Sequence, residues 1–227
     1  MGTSQVIEAK RPCGPAEALK AQSDALGLVA RVFEREPTGE SMAQMGGRLA
    51  AIEPWAQERG GKIAKAVDQL RRLIGTATES GELDSVIETL DVEYATLFYG
   101  VGADPVFPVE SVHRGSEHTL YERPFFEVTD CFKRNGFEGI EGFTEPNDHI
   151  ANELAFLSFL YGEAAESLGN GEAGLCESKV DAARAFEREH LAAWGGDFAG
   201  RVMGIAKTRY FIDAAMLLDG YIEEHLD

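Results

Sequence analysis

Apolar residues recur at three- and four-residue steps along most of this chain, the spacing that lines up one face of an α-helix. Leu19, Leu26, Val29, Ala30 and Phe33 trace such a stripe ahead of Pro37, which predicts a first helix near residues 15–36. Shorter helical pieces follow near 40–51 and 61–74; the second carries Ile63, Val67, Leu70 and Ile74 and ends at Gly75, a residue suited to the left-handed position after a helix. The segment ELDSVIETLDVEYATLFYG then sets Leu83, Val86, Ile87, Leu90, Tyr94 and Leu97 on one stripe, which Gly100 can terminate. No run alternates apolar and polar residues over strand length, and no strand–helix–strand rhythm is present.

The pattern fails between Val101 and Pro124, where VGADPVFPVESVHRGSEHTLYERP holds three prolines and no sustained period. A loop of this length inside a compact domain is uncommon and often functional; a solvated role is the default for its His113 and His118. Beyond it, FFEVTDCFKRNG reads as a short helix, GFTEPNDHIANELAFLSFLYG opens a long one that reaches about Leu168, and GNGEAG reads as a flexible turn. Two more helices, ESKVDAARAFEREHLAAW and DFAGRVMGIAKTRYFIDAAMLLDGYIEEHL, are parted by Gly195 and Gly196. The expectation is an all-α fold: a single domain over 1–227, a bundle of about eight to ten helices with a long loop near 101–124 and no internal repeat.

A single domain of 227 residues buries roughly 70–75% of its unfolded surface, enough for a core without staples. Hydrophobic residues at 44% and charged residues at 26% sit within the usual globular mix, which argues against disorder. The charge balance is unusual. Thirty-nine acids against twenty-one bases give −18, which disfavours nucleic acid and anionic membrane surfaces and favours either plain solubility or a basic ligand. Cys13, Cys131 and Cys176 are odd in number and far apart, so neither a disulfide framework nor a cysteine zinc site is suggested, and a reducing cytoplasm fits. The N-terminal MGTSQVIEAKRPCGPAEALK has no apolar core of a leader, and no apolar run approaches the roughly 20 residues of a membrane span. Arg71 and Arg72, inside KIAKAVDQLRRLIG, decorate a helix and are no export signal.

The chemistry concentrates where Glu145, Pro146, Asp148 and His149 precede a strongly apolar helix. One reading is structural: Pro146 suits a first helical turn, Glu145 stands near the N-cap, and Asp148 meets the positive end of the helix dipole. A metal reading pairs His149 with Glu153 four residues on, with no third ligand at a recognisable spacing. An enzyme reading uses Glu145, Asp148 and His149 as acid and base, with nothing to identify a nucleophile or oxyanion donor. GxSxG, GxxxxGK[ST] and GxGxxG are all absent.

Two stretches about fifty residues apart, YATLFYG at 94–100 and EPNDH at 145–149, together resemble the paired signatures of the TorD/DmsD family of cytoplasmic redox-enzyme maturation chaperones. Similarity also runs through FPVESVHRG and EHLAAW and covers roughly 83–227. The resemblance implies a non-enzymatic chaperone that binds the twin-arginine signal peptide of a molybdopterin-dependent oxidoreductase, delays its export and assists molybdenum cofactor insertion. By motif, Tyr94, Leu97, Phe98, Gly100, Glu145, Pro146, Asp148 and His149 are the implied peptide-binding residues, with Tyr94 where some members carry tryptophan. No metal or resident cofactor is implied. The implied partners are the signal peptide and the apo-oxidoreductase, with direct contact to the molybdenum cofactor or a guanine nucleotide and the choice of monomer or domain-swapped dimer left open. The alternative from the residues alone is a metal- or nucleotide-dependent hydrolase built on Glu145, Asp148 and His149.

Overall fold

The computed structural model describes residues 15–226; Cys13 and most of the N-terminal stretch MGTSQVIEAKRPCGPAEALK lie outside them. The described residues form ten α-helices: α1 (Pro15–Glu34), α2 (Gly39–Arg59), α3 (Gly61–Ser80), α4 (Leu83–Phe98), α5 (Glu110–Arg114), α6 (Arg123–Asn135), α7 (Ile150–Gly169), α8 (Ala173–Phe186), α9 (Ala192–Ile205) and α10 (Arg209–Leu226). A single turn of π-helix, Glu187–Leu191, joins α8 to α9. Among the described residues the only extended pairing is one isolated antiparallel bridge between Val109 and His149. The all-α bundle is therefore as the periodicity predicts.

The central element is α7. Ile150, Leu154, Phe156, Leu157, Leu160, Tyr161 and Ala164 are all buried, and they occupy more than one face of the helix. It packs along α1 on one side and α8 on another, while α10 packs against α3 and α9. Ser23 and Ser158 tie α1 to α7 by donating to each other's backbone carbonyls at 2.7 and 2.8 Å, which satisfies two hydroxyls inside the contact.

Several boundaries differ from the expectation. α2 runs through Pro54 to Arg59, because Ile52, Trp55 and Ala56 are wholly buried and that packing outweighs the hydrogen bond the proline cannot make. α3 continues past Gly75, its stripe extended by buried Ala77, and ends instead at Gly81 with φ +72°. The two C-terminal helices do not part at Gly195 and Gly196, which lie within α9; the break falls at 206–208. A side chain at Gly195 would stand 2.8 Å from Ile222 Cδ1 and 3.0 Å from Leu191 Cδ1, so this glycine serves the close approach of α10 to α9. At the true break, the Glu93 carboxylate of α4 accepts the backbone N–H groups of Lys207 and Thr208, capping α10 from across the fold.

Candidate functional site

Residues 107–110 and 148–150 are stitched together by backbone: the Glu110 N–H donates to Asp148 O and the Ile150 N–H to Pro108 O, both at 2.8 Å. This pairing holds His149 extended, at φ −76° and ψ 137°, so α7 cannot begin before Ile150. His149, not Glu145, is the N-cap, its Nδ1 accepting from Ala151 N at 3.1 Å. Pro146 lies before the helix and not in its first turn; its carbonyl accepts from His149 N at 3.0 Å and from the Asn152 amide at 3.1 Å. Burial pushes the His149 imidazole down to about 3, so it is neutral and serves as an acceptor; its ring meets Phe143 edge to face at 5.0 Å.

Asp148 is completely buried and its carboxylate faces α5. Oδ2 accepts the Ser111 N–H at 2.9 Å and also the Ser111 hydroxyl, so the residue caps α5 from 37 positions away. Burial raises its pKa, the two Ser111 bonds pull the other way, and the Glu110 charge raises it again. Glu110 lies deeper in the same knot, ion-paired to Arg114 and to His190 Nδ1 at 2.9 Å. Glu153 accepts from the Trp194 indole at 3.2 Å. Burial first, then the Glu110 and Asp148 charges, hold the Glu153 carboxyl well above its usual range, so a retained proton relieves the repulsion. Burial pulls His190 down, but hydrogen bonds to Cys131 and Glu110 outweigh it and lift the imidazole to about 9.

Above this knot opens a cleft of about 430 Å³, walled by the end of α1, the end of α4, residues 107–109, Leu120 and the 142–145 turn. Tyr94, Phe98, Glu145 and His149 line it; Leu97, Gly100, Pro146 and Asp148 do not. The Tyr94 hydroxyl donates to the Phe33 carbonyl at 2.9 Å, satisfying a free carbonyl of the last turn of α1. Its ring stacks edge-on against Phe98 at 4.9 Å and Tyr99 at 5.3 Å. Leu97 is buried and lines a different groove of about 410 Å³ with Val92, Thr96 and Ile205. Gly100 has φ +72°, the left-handed conformation that ends α4.

Acids from outside the motifs complete the cleft. Glu34 is neutralised by Arg31 and Arg35, whereas Glu36 accepts from the Tyr99 hydroxyl, which burial and then Glu36 push up to about 12. Glu145 stands exposed on the rim and acts electrostatically on Tyr94 and Tyr99 together with Glu36. Sequence reasoning missed Glu34, Glu36, Tyr99, Phe107 and Leu120. One signal pointed to the first two: FEREP puts acids at a helix C-terminus, where the dipole disfavours them. His113, expected in solvent, lies tilted against Trp194 at 4.9 Å with a ring N–H donated to Phe107 O at 2.7 Å.

The arrangement offers carboxylates beside aromatic surface. It does not assemble Glu145, Asp148 and His149 into an acid–base set: Glu145 and His149 line the cleft, whereas Asp148 is turned away from it onto Ser111. Among the described residues no group of three or more His, Cys, Asp or Glu side chains could hold a metal ion.

Residues 57–200 match the family described as nitrate reductase delta subunit. The chain is 34% identical over 148 residues to a chlorate reductase assembly chaperone protein of Ideonella dechloratans, covering 62% of this chain and 70% of that one. It is 26% identical over 140 residues to the chaperone protein TorD of Photobacterium profundum, spanning 61% of each. A crystal structure described as a redox enzyme maturation protein from Archaeoglobus fulgidus superposes with a TM-score of 0.51 at 18% identity, over 97% of this chain and 99% of that one, a likeness of fold.

Proposed function

We propose, given that this chain belongs to the nitrate reductase delta subunit family and to the TorD-like redox-enzyme maturation chaperones within it, that its acidic cleft grips the twin-arginine signal peptide of a molybdopterin-dependent oxidoreductase. Relatives in the family are named as assembly chaperones, and this protein is a chaperone and not an enzyme; nothing supports the hydrolase alternative. No helix among the described residues is long and apolar enough to cross a membrane. Acting in the cytoplasm, the chaperone delays export of its client and keeps the apoenzyme open to its molybdenum cofactor.

The observation that carries this reading is the meeting of Glu36 and Glu145 with Tyr94, Phe98 and Tyr99 in one cleft. A guanidinium there can make paired hydrogen bonds to a carboxylate and lie against an aromatic ring, which an ammonium does poorly. Pro146, Asp148 and His149 shape the turn that carries Glu145, and Leu97 and Gly100 set the end of α4 that carries Phe98 and Tyr99. The test is a calorimetric titration of the full chain with a twin-arginine peptide and with its twin-lysine counterpart. The arginine peptide binds more tightly, and Glu145→Gln removes most of that preference; equal affinities for the two peptides overturn the reading.

A further inference from the structure

Away from the cleft, the knot of buried charges reaches a thiol. Cys131, a free cysteine on α6, is half-buried and does not line the cleft. Its Sγ accepts from Arg134 Nη2 at 3.1 Å, and the same guanidinium is anchored through Nε on the Asp130 carbonyl at 3.2 Å. The sulfur also hydrogen-bonds the His190 ring, whose Nδ1 is engaged by Glu110 at 2.9 Å and whose face stacks on Phe186 at 4.7 Å. His190 comes from the π-turn Glu187–Leu191, Glu110 from α5 and the thiol from α6, so three separate segments converge on one sulfur. Single π-turns of this kind recur at functional sites. Burial pulls the His190 ring down, but its bonds to Cys131 and Glu110 lift it to about 9, so it carries a positive charge at neutral pH. A partly exposed sulfur between two cations is the setting in which a cysteine becomes nucleophilic, because both stabilise the negative charge that the sulfur takes up as its proton leaves.

We infer that Cys131 is a modification site for hydroperoxides, its sulfur held as the attacking group between the His190 ring and the Arg134 guanidinium. Sγ attacks the peroxide oxygen that carries hydrogen: an S–O bond forms and the O–O bond breaks. The sulfur is oxidised to a sulfenic acid, the first and reversible step of cysteine oxidation, and the hydroperoxide is reduced to an alcohol, or to water when it is hydrogen peroxide. The thiol proton goes to the departing oxygen, so RSH and ROOH give RSOH and ROH. Arg134 is exposed, and its guanidinium stabilises the departing oxygen as well as the sulfur. Half-burial of the thiol favours a small oxidant over a bulky disulfide. The new oxygen lands on the knot beneath the cleft, since His190 also holds Glu110, whose backbone N–H pairs with Asp148 O. The reactivity of the thiol is independent of what the cleft binds.

The test treats the full folded chain with hydrogen peroxide in the presence of dimedone, which traps sulfenic acids, and follows labelling of the Cys131 peptide by mass spectrometry. The reference is the same chain unfolded in urea. Cys131 is labelled at least about tenfold faster in the folded chain than in the unfolded one, and Arg134→Gln and His190→Gln each lose most of that advantage. Circular dichroism checks that the variants keep their helix content; Arg134 is exposed, so its variant decides the matter where His190→Gln unfolds. Loss of the advantage in either folded variant supports the inference. Labelling of the folded parent no faster than in urea overturns it, and so does an advantage kept by every folded variant, because the neighbouring cations then play no part.

Discussion

At the scale of single residues, the two acids of EPNDH part company. Glu145 is exposed on the rim and Asp148 is completely buried on Ser111. Asp148→Ala leaves the buried Ser111 N–H without an acceptor, and a group stranded in this way costs about 1–3 kcal/mol. The variant melts at a lower temperature than the parent, whereas Glu145→Gln melts with it. Thermal melts of the two variants, set beside the peptide titration, separate scaffold from contact. Leu97→Ala truncates a buried side chain at 1% exposure and loses on the order of 2–5 kcal/mol in a denaturant titration. Gly100→Ala has no neighbour within 4 Å to strike, so its cost is the left-handed backbone alone, about 1–2 kcal/mol.

At the scale of elements, helix ends are satisfied from distant parts of the chain. Tyr94 closes the end of α1, Glu93 the start of α10 and Asp148 the start of α5. Adjacent residues on α4 thus join two helices that are far apart in sequence. Glu93→Ala removes the acceptor of two backbone N–H groups, at about 0.5–2 kcal/mol for a lost cap. Amide exchange at Lys207 and Thr208 accelerates in this variant while the centre of α7 keeps its protection; uniform acceleration across the chain would mean that Glu93 supports the whole bundle and not this helix end.

At the scale of the molecule, charge works differently at the surface and in the core. On the proposed reading, the formal −18 favours encounter with a basic peptide, and a peptide titration repeated at rising salt finds weaker binding as the exposed acids are screened while apolar contact stays in place. In the core, His190 faces Glu110 and Cys131, with Arg114, Asp148 and Glu153 in the same knot of interactions. Its pKa is raised, from an ordinary 6.5 to about 9, so its contribution to stability is full below pH 6.5 and is lost as pH rises through 9. Glu153, also raised, works in the same direction because the native state holds its proton longer. Calorimetric melts therefore fall between pH 6.5 and about 9, and His190→Gln, with a lower melting temperature throughout, flattens the fall in that window.

The sequence by itself determined the all-α class, the single stripe of α4 and the burial of α7, because a 3.6-residue apolar period is a local property that packing only has to accept. It also located the candidate site, since two short motifs mark the stretches that meet there. Tertiary structure alone decided which residues of those motifs reach the cleft. Backbone pairing of 107–110 with 148–150 delayed α7 to Ile150, turned Asp148 inward onto Ser111 and left Glu145 on the rim. Glu34 and Glu36, more than a hundred residues away, arrived because α1 packs along α7. Partners at such separations leave no periodic trace in the chain. Gly75, Gly195 and Gly196 make the same point: each reads locally as a helix breaker, and each lies inside a helix, because the burial gained by continuing the helix exceeds about 1 kcal/mol of unfavourable propensity.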